Sequence, residues 1–125
     1  MCHRTRNEPT MNEHPIDQAV YCELQATTGV EFAAELVDTF LEEAPRMLAE
    51  LRSARADGNA ERFRRAAHSL KSNANTFGAV SLAAQARALE LRGLDADPAR
   101  DEAALASLEA EHTRSAAALR AMRNG

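Results

Sequence analysis

Tryptophan is absent from the 125 residues, tyrosine occurs once and phenylalanine four times, so apolar burial falls mainly to Ala and Leu. Glycine is nearly as scarce, with Gly29, Gly58, Gly78 and Gly93 spaced along the chain and Gly125 at its end. A sequence poor in glycine and aromatics but rich in Ala, Leu, Arg and Glu favours helices joined by short turns, because these residues lose little entropy in a helix. Basic charge is not in excess. The formal net charge is −4, which argues against nucleic acid as a partner, since binding by counterion release needs a basic face. No stretch approaches the roughly 18 apolar residues of a membrane span. The segment "MCHRTRNEPTMNEH" lacks the apolar core of a secretory signal. Cys2, in that polar stretch, and Cys22, in an apolar one, are too few for a disulfide framework. Together these absences predict a cytoplasmic protein. A Gly-rich phosphate loop is also missing, so neither ATP binding nor self-phosphorylation is expected.

What is present fits one domain with its own core. Residues 1–14 are polar and aperiodic and predict a disordered tail, in which Met11 offers an alternative start to Met1; residues 15–125 form the domain. Pro15 opens a short helix over Ile16–Ala26, ended by Thr27, Thr28 and Gly29. A second helix over Val30–Ala56 repeats Phe32, Leu36, Phe40, Ala44, Met47 and Leu51 at helical spacing. Pro45 falls inside it and predicts a kink rather than an end, since the stripe resumes in phase. Asn59 caps a third helix, Ala60–Thr76, with Phe63, Ala67, Leu70, Ala74 and Phe77 inward. Gly78 turns the chain into a fourth helix, Ala79–Arg92, burying Leu82, Ala86 and Leu89. Asp97 caps a fifth, running to Met122, with Leu105, Leu108, Ser115, Leu119 and Met122 inward. The pattern is all-α: an antiparallel four-helix bundle with an additional short N-terminal helix covering one end.

The stretch "RRAAHSLKSNANTFGA", Arg64–Ala79, carries the chemistry. His68 lies at the border of the third helix's apolar stripe. Positions three and four apart are neighbours on a helix, which gives it Arg64 and Arg65 one turn before and Lys71 and Ser72 one turn after. Spacing alone leaves two readings open. One is a border histidine among ordinary solvated cations. The other is a nucleophile whose neutral imidazole attacks phosphorus while the nearby cations, counting Arg62, stabilise phosphoryl oxygens. A turn at Gly78 brings His68 level with Glu90 on the antiparallel fourth helix, where a carboxylate could fix the ring's tautomer through its second nitrogen.

The run "AHSLKSNANTFGAVSLAAQARALE" resembles the signature of histidine-containing phosphotransfer (HPt) domains, the relay modules of phosphorelays, through Ala67, His68, Leu70, Lys71, Ser72, Gly78, Leu82, Leu89 and Glu90. "EFAAELVDTFLEEAPRMLAELRSA" is similar to the family's acidic, proline-containing second helix. The resemblance covers roughly residues 16–122. It implies that His68 accepts a phosphoryl group on Nε2 from a receiver-domain aspartyl phosphate and passes it to another receiver in two-component signalling. It further implies that Lys71 offsets the phosphoryl charge and that Glu90 accepts from imidazole Nδ1. The implied partners are response-regulator receiver domains, of a hybrid histidine kinase and of a response regulator. Arg64, Arg65, Ser72 and Asn75 would meet the partner. The chain itself would be a monomeric carrier without cofactor, Mg²⁺ belonging to the receiver. Ser72 departs from the glycine most members carry, and Asn73 and Asn75 replace commoner small residues, which bears on partner range more than on activity.

Two further readings compete with this one. A bundle that keeps the fold but only binds or sequesters a receiver would most often have lost His68 or Lys71, and both are present. A di-iron bundle needs paired Glu-x-x-His motifs and two more inward glutamates; Glu109–His112 is the single such motif, and His112 falls on the inward stripe. No metal site is expected.

Overall fold

The computed structural model describes residues 14–124. Its elements are α1 (Gln18–Thr28), α2 (Val30–Asp57), α3 (Ala60–Thr76), α4 (Val80–Arg92) and α5 (Pro98–Asn124), with no strand among the described residues. Helices α2 to α5 pack in sequence, and α5 returns to α2, closing a four-helix ring; α1 lies against α2 and α3. Short connections make neighbours antiparallel, as the side-chain ties show: Arg62 of α3 reaches Glu50 of α2, and Ser107 of α5 reaches Gln85 of α4. Except for His14, the predicted tail lies outside the described residues. His14 holds the entry to α1, with its Nδ1 accepting from the Ile16 amide at 3.1 Å.

The predicted caps are present where side chains could make them. Asn59 accepts from the Arg62 amide at 3.1 Å and Asp97 from the Ala99 amide at 3.0 Å. The first helix starts later than predicted. Asp17, in an extended conformation, caps it by accepting from the Ala19 amide, and Ile16 drops into the core ahead of the helix. Pro45 lies inside α2 without ending it and is exposed.

The core is mainly aliphatic, with Tyr21 and Phe63 also buried and with Phe40 and Phe77 packed ring to ring, their centroids 5.2 Å apart and their planes tilted by 40°. The stripe on α2 differs from the sequence reading at its start. Ala33, Val37, Phe40, Ala44, Leu48, Leu51 and Ala54 point inward, while Phe32 is 51% exposed. Both sets satisfy helical spacing near the N-terminus. The close approach of α1 selects the set with small residues at that level. Leu36 and Met47 are only partly buried. On α5, Asp101 and Glu111 are buried polar residues the apolar pattern did not foresee. Cys22 is partly buried in α1, and Cys2 lies outside the described residues.

Candidate functional site

Helix α3 presents His68 beside a buried strip of Ala67, Leu70 and Ala74, so the ring emerges at the edge of the α3–α4 seam. The α3–α4 turn is tight. Ala74 accepts from the Phe77 and Ala79 amides, and Gly78 takes a positive φ of 78° that L side chains rarely adopt. A Cβ on Gly78 would lie 2.7 Å from the Asp17 carbonyl oxygen and 2.9 Å from Val20 Cβ. That glycine therefore lets the start of α1 close over the turn, sealed by the Asp17 amide donating to the Gly78 carbonyl at 2.6 Å.

The turn sets the register of α4, and with it Glu90. Its Oε2 stands 2.8 Å from His68 Nδ1, and its Oε1 stands 3.0 Å from Lys71 Nζ. The carboxylate side chain is 19% exposed and Lys71 is 23% exposed, whereas His68 is 56% exposed. Lys71 first, and His68 second, hold the Glu90 carboxyl below the usual carboxylate range. An ionised carboxylate can only accept, so Nδ1 is the donor and carries the proton. Nε2 of the neutral ring is then the lone-pair nitrogen, on an imidazole more than half in solvent.

Of the residues singled out in the sequence, the structure thus brings His68, Lys71 and Glu90 into one triad. Ser72 and Asn75 are exposed on the same helix. Arg64 and Arg65 are exposed too, but both turn back toward Glu61, at 3.2 and 3.9 Å. Arg62, counted with them as local positive charge, faces away: it donates to Glu50 and Asp57 and ties α3 to α2. The site is therefore less electropositive than the residue run suggests. In the Glu109–His112 motif, Glu109 accepts from Arg52 at 2.6 Å. No group of three or more metal-ligating side chains converges among the described residues.

The sequence reading passed over the outer side of α4. Leu91, next to Glu90, is 70% exposed, and Arg87 is exposed one turn before Glu90. The available signal was that α4 is apolar on both faces, a pattern that predicts burial all round.

Comparison with known proteins agrees with this geometry. No curated protein sequence matches the chain. The crystal structure of histidine-containing phosphotransfer protein B (HptB) from Pseudomonas aeruginosa PAO1 superimposes with a TM-score of 0.76 at 27% identity, over 88% of this chain and 95% of that one. The Hpt domain family matches residues 35–122, a span that holds the whole His68–Lys71–Glu90 triad, and the chain belongs to that family.

Proposed function

We propose that the protein is a phosphorelay carrier that accepts a phosphoryl group on His68 from the aspartyl phosphate of one receiver domain and hands it to another. The observation that carries this reading is the 2.8 Å contact between His68 Nδ1 and Glu90, which leaves the lone pair on Nε2 and so supports that nitrogen as the nucleophile. Membership of the Hpt domain family supports a histidine phosphotransfer role. No helix among the described residues is long and apolar enough to cross a membrane, and the relay is assigned to the cytoplasm.

In the forward step the Nε2 lone pair forms the N–P bond as the bond between phosphorus and the aspartyl oxygen breaks, and the aspartate leaves as carboxylate. No proton need move. The ring keeps its Nδ1 proton and becomes cationic on phosphorylation, so its hydrogen bond to the Glu90 carboxylate strengthens as the bond forms. Lys71 lies one turn beyond His68, where its ammonium faces the incoming oxygens as a point charge. The return step reverses these changes. The chain supplies half of an active site; the acidic pocket and its Mg²⁺ come with the receiver. Acting as a carrier, the protein is not an enzyme in its own right, and we assign it to the monomeric state.

The test mixes a receiver carrying radiolabelled aspartyl phosphate with the wild type and with a His68→Gln variant. Acid-labile, base-stable label on the wild type alone is the expected result. Label on neither protein, across several receivers, would leave a bundle that binds or sequesters receivers. Equal label on both would remove His68 from the chemistry.

A further inference from the structure

We infer that the Ser72 hydroxyl donates a hydrogen bond to the phosphoryl group once that group is on His68, and that this bond sets how long the phosphorylated protein survives in water. The inference rests on the phosphotransfer reading and adds a residue that governs the lifetime of the carrier between its two transfers.

The hydroxyl is placed to reach. At about 100° per residue, Lys71 lies about 60° to one side of His68 and Ser72 about 40° to the other, each one turn further on. Lys71 is on the side of α4, where Glu90 holds its Nζ at 3.0 Å and His68 Nδ1 at 2.8 Å. One carboxylate thus ties the ring to the turn that carries Lys71 and Ser72. Side chains on a helix lean back toward its N-terminus, so the Ser72 hydroxyl lies over the turn of His68.

The hydroxyl is also uncommitted. Serine and threonine inside helices often bond to the carbonyl four residues back. Thr28, Thr39, Thr76 and Thr113 all do so, at 2.8, 3.2, 3.1 and 3.1 Å. For Ser72 that acceptor would be the His68 carbonyl. No such bond forms: Ser72 is exposed, and its hydroxyl has no partner among the described residues. Other donors nearby are spent or turned away. Lys71 is held by Glu90, while Arg64 and Arg65 lean toward Glu61. Ser69 is the adjacent residue, about 100° round the helix, and Asn75 stands about 10 Å further along it.

Hydrolysis is the loss a carrier must resist. The oxygen of water bonds to phosphorus as the N–P bond breaks, the electron pair returns to Nε2, and both protons of the water leave with the inorganic phosphate. The transition state is loose and metaphosphate-like. Its phosphoryl oxygens therefore carry less negative charge than those of the dianion that precedes it. A donor on those oxygens holds the ground state more tightly than the transition state, and hydrolysis slows.

The experiment labels wild type, Ser72→Ala, Ser72→Gly and Ser69→Ala with phosphoramidate, a small donor that needs no receiver. Loss of label is then followed after the donor is removed. Ser72→Ala and Ser72→Gly should lose phosphate about fivefold faster than the wild type, the scale of one hydrogen bond. Ser69→Ala should match the wild type, and thermal unfolding should be alike in wild type and Ser72→Ala. A hydroxyl donor also favours the phosphoryl dianion, so its ³¹P titration midpoint should move up in Ser72→Ala. Equal or slower loss from Ser72→Ala would overturn the inference. So would equal acceleration in Ser69→Ala, or faster loss with an unmoved ³¹P midpoint, which would assign the effect to water access. Failure of phosphoramidate to label the wild type would instead withdraw the phosphotransfer reading, and the inference with it.

Discussion

At the scale of single residues, Glu90 is shared between an acid–base partner and a charge partner, one oxygen to each. In the proposed transfer its charge would matter beyond its shape, because it would oppose the cation formed on the phosphorylated ring. Glu90→Gln keeps the size and an accepting oxygen but loses that charge and leaves the Lys71 ammonium uncompensated. Single-turnover transfer to His68 should fall about tenfold, the scale seen when a partner that orients a reactive imidazole is lost. Thermal unfolding should be unchanged. His112 answers to different forces. It is packed at 6.4 Å from Phe40, and burial, aided by Arg120, pushes its pKa down from 6.5. The unfolded chain then binds the proton more readily than the folded one, so this contribution to stability is present above about pH 6.5 and is lost as the pH falls below it. The unfolding midpoint of the wild type should drop between pH 7.5 and pH 5.5, and His112→Gln should show a smaller drop. Parallel curves for the two proteins would remove His112 as the source.

At the scale of elements, the turns are less alike than their glycines suggest. Gly58 has a φ of 66° with open space around its Cβ position, so Gly58→Ala meets only the backbone cost of the left-handed region, about 1–2 kcal/mol. Gly78 has a similar φ, but its Cβ would collide with the Asp17 carbonyl, which is backbone and cannot swing aside. Gly78→Ala should therefore cost more than Gly58→Ala in urea unfolding and also expose α1 to limited proteolysis, which Gly58→Ala should not. The sequence made such turns visible but not their neighbours. Helix α3 was read correctly because its stripe has one solution: Phe63, Ala67, Leu70 and Ala74 are apolar and the residues between them mostly polar. The start of α2 has two, and only the docking of α1 chooses between Phe32 and Ala33. His68, Lys71 and Glu90 were legible because helical spacing and one antiparallel turn fix them. The reach of Arg62 to Glu50, and of Arg64 and Arg65 to Glu61, was not, since long side chains choose among several carboxylates only once the helices are packed.

Over the whole molecule, one buried carboxylate fastens the end of the bundle where α4 passes into α5. Asp101 is 0% exposed, lies 2.8 Å from Arg55 of α2 and 3.1 Å from Arg92 of α4, and accepts the Asp95 amide from the connecting loop. Its place in the first turn of α5 also suits the helix dipole. Asp101→Ala leaves two arginines facing a void and should cost about 3–5 kcal/mol in denaturant unfolding. The folded fraction should still take phosphoryl label on His68, because Asp101 pairs with Arg55 and Arg92 and with no member of the triad. Phosphorylation adds nearly two negative charges at an exposed helix face, beside Lys71 and within a turn of two surface arginines. It should therefore shift amide resonances near His68 and leave the rest of the spectrum in place; widespread shifts would speak against a rigid carrier.

The closure of α1 over Gly78 has a geometric sequel. Asp17 is bonded to the α3–α4 turn, and near the other terminus Arg123 holds Asp38, two turns into α2, at 2.7 Å. Both exits of the described chain thus lie toward one pole of the bundle, while His68 sits about 12 Å along α3 from its last residue at ~1.5 Å per residue. A flexible leash attached at either exit would leave the surface around His68 unobstructed. Tethering the protein to a surface, or to a receiver by a linker of graded length, should then turn the encounter into an intramolecular one whose rate is set by the leash rather than by steric hindrance.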